Sequence, residues 1–152
     1  MLPPAIPTPR QLLIDARALI ANPDCWTQGS AARDKHRCPL PANHADAVAW
    51  CATGALTCAT WRHTHPRGLS VPLQQAFERA CDILAKTVRD LTLGRYTQTT
   101  VYNDATNHGC IMHTYDIAIA DAAPSPQPPP ARSALPAPAR LPATRPRPAL
   151  AR

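Results

Sequence analysis

Long apolar runs are absent from this 152-residue chain, and aromatic side chains are few, with three Trp, three Tyr and one Phe. No stretch approaches the roughly 18 consecutive apolar residues that a membrane-crossing helix needs, so no membrane partner is expected. The opening "MLPPAIPTPR" lacks the charged-then-apolar order of a secretory signal, and a cytoplasmic location is the resulting expectation. In a reducing compartment the six cysteines are expected to be free thiols. There is no C-x-x-C pair, P-loop, dinucleotide glycine fingerprint or nucleophile elbow, which removes the motif-defined zinc, nucleotide and hydrolase classes.

Acidic residues are missing from one region altogether. From Pro124 to Arg152 there are ten of the 19 prolines and five Arg, with no Asp or Glu. The preceding 123 residues hold the other 11 basic residues and all ten acidic ones, so the net +6 is mostly a property of the C-terminal segment. Ala, Pro and Arg alternate there without period, a composition that favours solvated polyproline-II backbone. Residues 123–152 are therefore expected to be a disordered Pro/Ala/Arg-rich tail. Its spaced arginines allow weak, non-specific nucleic-acid contact through the phosphates, and its lack of aromatics excludes base stacking.

Helical periodicity is plain in the remainder. Thr8, Pro9 and Gln11 form a capping-box start with proline at the first helical position, followed by the stripe Leu12, Ala16, Leu19 and Ile20. Asn22-Pro23-Asp24 stops this first helix. Cys25 to Pro41 has no helical period and predicts a short hairpin or structured loop. Val48, Cys51, Ala52, Ala55, Leu56 and Ala59 fit a second helix from about Asp46 to Arg62, with Gly54 permitting close approach of another helix. Ser70 caps a third helix whose stripe runs Leu73, Ala76, Phe77, Ala80, Leu84, Val88 and Leu91, and Gly94 ends it. "YTQTTVY", Tyr96 to Tyr102, is rich in β-branched and aromatic residues and predicts a short strand. Asn103, Asp104 and Thr106 are all suitable caps for a last helix near Asn107 to Ala122. The segment Arg62 to Val71 is too long for the tight turn of a helix-turn-helix.

"QLLIDARALIANPDCWTQGSAARD", "AVAWCATGAL" and "VYNDATNHGCIMHTYDIAIADA" together resemble a family of small bacterial and phage proteins known as domain of unknown function 6197. The resemblance covers roughly residues 10 to 122. It rests on Trp26 to Gly29, Ala32 to Asp34, Trp50 to Leu56, Asn103-Asp104 and Asp116 to Ile119, in that order. It implies a shared fold and no activity.

Three sets of residues carry candidate chemistry. Cys51 would be a nucleophile if His108 took its proton and Asp104 or Asn103 held the imidazole. With a helix from Asp46, however, Cys51 falls in the second turn on the inward stripe, which reads as a small core residue. Metal candidates are His108 and Cys110 with His113, Cys58 with His63 and His65, and Cys25 with Cys38. None has two tight ligand pairs, so no metal and no cofactor are expected. The third set is a small-ligand or partner site lined by Trp26, Gln28, Asp34, Trp50, Asn103 and Asp104, with helix capping as the structural account of Asn103 and Asp104.

The expectation is one mainly α domain over residues 8–122, with four helices and a minor β hairpin or short strands. The expected role is a non-enzymatic binding or regulatory module with a protein or small-molecule partner. The alternative is a cysteine-dependent hydrolase or transferase using Cys51, His108 and Asp104.

Overall fold

The computed structural model describes residues 5–64 and 68–124. The expected tail from residue 125 onward, and His65 in the loop after the second helix, lie outside the described residues. Helix α1 (Pro9–Leu19) starts where its cap predicts: the Thr8 side chain accepts from the Gln11 N–H. A 3-10 turn (Pro23–Cys25) follows, itself capped by Asn22. Three two-residue strands come next: β1 (Ala32–Arg33), β2 (Pro39–Leu40) and β3 (Ala49–Trp50). They form an antiparallel sheet in the order β2-β1-β3, with Ala32 opposite both Leu40 and Trp50. Trp26 adds a parallel bridge on the far side of β3. The β1–β2 hairpin is turned by Asp34, whose carboxylate accepts from the His36 and Cys38 N–H groups, and Arg37 takes the left-handed conformation there (φ 66°).

Helices α2 (Ala52–Trp61), α3 (Val71–Leu91), α4 (Thr99–Ala105) and α5 (His108–Asp121) complete the described fold. It is mainly α with a small antiparallel sheet, and there are five helices among the described residues where four were expected. The core is the shared apolar face of four of them. Leu12, Leu13, Ala16 and Ile20 of the first helical segment meet Ala55, Leu56 and Ala59 of α2, Ala80 and Leu84 of α3, and Ile111, Tyr115 and Ala118 of α5. Arg10 donates to the Ile119 carbonyl at one end and His108 to the Ile20 carbonyl at the other, so α1 and α5 run antiparallel.

Two expectations are corrected. Helix α2 begins at Ala52, six residues later than Asp46, because Ala49 and Trp50 are held as a strand between β1 and the Trp26 segment. Val48, expected on the inward stripe, is 45% exposed. The strand expected at Tyr96–Tyr102 is replaced by α4. Thr99 and Asn103, four residues apart, are both buried, and one face of a helix accommodates both. Local β-propensity yields there to the partners that Asn103 finds in tertiary space.

Candidate functional site

The polar residues of the Trp26-Thr27-Gln28-Gly29 segment converge with α4 at the start of α2. Asn103 is the hub, fully buried and with all four of its hydrogen-bonding positions filled. Its Oδ1 accepts from Trp26 Nε1 at 2.8 Å and from the Ala52 N–H at 3.0 Å. Its Nδ2 donates to the Thr27 carbonyl and to Asp104 Oδ1, both at 3.0 Å. Gln28 Nε2 reaches the carbonyls of Asn103 (2.9 Å), Asp104 (3.4 Å) and Thr106 (2.7 Å), satisfying carbonyls at the end of α4 that have no intrahelical donor. Asp104 Oδ1 also accepts from the Gly29 N–H at 2.9 Å. Asn103 and Asp104 therefore lie inside α4, and the expectation that either caps the last helix is corrected. Asn107 does so, accepting from the Cys110 N–H at 2.9 Å.

Cys51 is the N-cap of α2, not a residue of its second turn. Its backbone is extended, its N–H donates to Ala31, and its Sγ accepts from the Gly54 N–H at 3.3 Å. Thr53 Oγ1 lies 3.4 Å from the same sulfur. Of the first N–H groups of α2, Ala52 goes to Asn103, Gly54 to Cys51 Sγ and Ala55 to the Cys51 carbonyl, while Thr53 N–H has no acceptor among the described residues. Gly54 permits a close approach, but of the 29–31 loop and not of a helix. A Cβ there would stand 1.9 Å from the Ala31 carbonyl oxygen. Beneath this corner Tyr115, fully buried, donates its hydroxyl to the Ala52 carbonyl at 2.6 Å. Burial, with Cys51 and Cys81 nearby, holds the Tyr115 hydroxyl well above its ordinary pKa of 10.0.

A recess of about 240 Å³ opens at this corner, lined by Gly29, Ser30, Ala31, Cys51, Thr53, Thr100 and Asp104. Cys51 and Asp104 thus share one recess. His108 is not among its lining residues. Its ring sits 5.8 Å from that of Trp26, and its Nε2 donates to the Ile20 carbonyl at 2.7 Å, an arrangement that orients it towards the end of α1. Of the other expected binding residues, Trp26, Gln28 and Asn103 build the wall behind the recess. The Trp50 indole is buried and donates to the Ala42 carbonyl. Asp34 turns the hairpin and lines a separate cleft with Lys35, His36 and Asp46.

Sequence reasoning missed Ser30, Ala31, Thr53 and Thr100, short residues that carry no spacing signal. Gly29 was nameable as part of the W-T-Q-G segment, where its φ of +68° suits glycine. No group of three or more His, Cys, Asp or Glu side chains is placed to hold a metal ion among the described residues. His63 pairs instead with Asp15, Nε2 to Oδ2 at 3.1 Å. All six cysteines are free thiols. Cys81 is pushed up from 9.0 to about 11, first by burial and then by the Asp82 and Glu78 carboxylates, which disfavours its thiolate at neutral pH.

Comparison with known proteins adds one match. The sequence model described as a family of unknown function (DUF6197) covers residues 4–121. No curated protein and no solved structure matches the chain.

Proposed function

We propose, for a chain that belongs to the family of unknown function DUF6197, a non-enzymatic role as a binding or regulatory module. Its recognition site is the recess between the 29–31 loop, the first turn of α2 and α4. One observation carries this reading: Asn103, at the centre of the wall, has every hydrogen-bonding position filled, whereas groups with spare hydrogen-bonding capacity line the recess. Asn103 spends all four positions on holding loop, helix and α4 together, and Gln28 Nε2 spends its donors on carbonyls at the end of α4. Asp104 Oδ2 and the Thr53 N–H have no partner among the described residues. A carboxylate acceptor and a backbone donor at a helix start suit a small polar ligand, or a polar side chain of a partner, that offers both a donor and an acceptor.

The test is a ¹⁵N NMR screen with a library of small polar fragments. Binding fragments are expected to shift the amides of Gly29, Ser30, Thr53 and Thr100, and Asp104→Asn, which keeps the Oδ1 acceptor that Gly29 and Asn103 use, is expected to weaken them at least several-fold while leaving the remaining amides in place. Hits that cluster elsewhere, or that ignore the Asp104 substitution, overturn the proposal.

The position of Cys51 supports the second reading, a cysteine-dependent hydrolase or transferase. A thiol at a helix N-cap sits beside the positive end of the helix dipole. Against it, His108 is bonded to Ile20 and packs at a tilt against Trp26, which leaves the thiol without the base that the Cys51–His108–Asp104 triad requires. Iodoacetamide labelling of the native protein, mapped by mass spectrometry, separates the two. If Cys51 reacts no faster than Cys58, which is buried on the same helix, the enzyme reading is finished.

A further inference from the structure

We draw no further inference here: the strongest candidate, the apolar rim of Ile6, Trp61, Leu69 and Val71 around the cleft where α1 begins, α2 ends and α3 begins, carries nothing because nothing in the structure shows what covers it.

Discussion

The four-helix apolar face and the polar corner around Asn103 both centre on fully buried side chains but are held together by different physics. On the first, Leu12, Leu56, Leu84 and Ile111 contribute non-directional burial, and neighbours of similar volume would serve nearly as well. At the second, the contacts are directional hydrogen bonds that hold only in one geometry. Trp26 Nε1 and the Ala52 N–H share a single amide oxygen, and the Ala31 carbonyl touches a glycine that tolerates nothing larger. The apolar face should therefore respond gradually to substitution and the corner abruptly.

The sharpest way to break this comparison is Gly54→Ala. Its added methyl would overlap backbone, which cannot rotate away, so urea unfolding should show a loss of about 4 kcal/mol or more. Gly109→Ala is the matched control. Its nearest neighbour is the Asn107 side chain at 3.4 Å, and stability should change by no more than about 0.5 kcal/mol. A mild effect at Gly54 would show that the loop does not lie against α2.

Leu84→Ala on the apolar face should cost roughly 2–5 kcal/mol, with the urea m-value unchanged. Asn103→Ala should cost about 3 kcal/mol or more, because it strands the Trp26 indole N–H, the Ala52 N–H and the Thr27 carbonyl. A spectroscopic reading distinguishes the corner from the face. In Asn103→Ala the Trp26 indole proton should lose its exchange protection, whereas that of Trp50, bonded to Ala42, should keep it. Asn103→Asp should be worse than Asn103→Ala, since a carboxylate would face the Thr27 carbonyl and the Asp104 carboxylate.

Tyr115 belongs to both regions, with its ring in the apolar core and its hydroxyl at the corner. Tyr115→Phe keeps the first and removes the second, for about 1 kcal/mol. The smallest effect is in alkali. Tyr115 and Cys81 both titrate higher in the folded state than their ordinary values of 10.0 and 9.0. The unfolded chain then releases these protons first, so the stability they contribute is whole below about pH 9 and falls as pH rises beyond it. Melting temperature followed from pH 8 to 11 should fall less steeply in Tyr115→Phe and in Cys81→Ala than in the parent chain. Equal slopes in all three would remove these groups as the cause.

Helix starts that depend on local chemistry were legible in the sequence. Thr8 and Ser70 cap where their side chains can reach the N–H three residues on, and Gly94 follows α3 in the left-handed conformation (φ 80°). The start of α2 was not legible, because Val48 and Cys51 fall on the helical stripe by coincidence while β3 pairs with partners 16 or more residues away. α4 was hidden for the same reason. "TQTTVYND" has the composition of a strand end, and its helical form depends on Gln28 and Trp26 more than 70 positions earlier. At the candidate site, Trp26, Gln28, Asn103 and Asp104 could be named because their side chains are polar or large. The small residues that complete the recess could not.

The sequence by itself determined the helical stripes, two of the helix caps, the family and the concentration of positive charge beyond residue 123. These follow from spacing, composition and hydrogen bonds that span three or four residues. The tertiary structure alone decided that Cys51 caps a helix, that Asn103 joins three chain segments, and that His108 serves α1 and not the thiol. Each of those outcomes depends on a directional bond between groups tens of residues apart. A buried amide, thiol or imidazole takes its role from the partner that the fold brings to it.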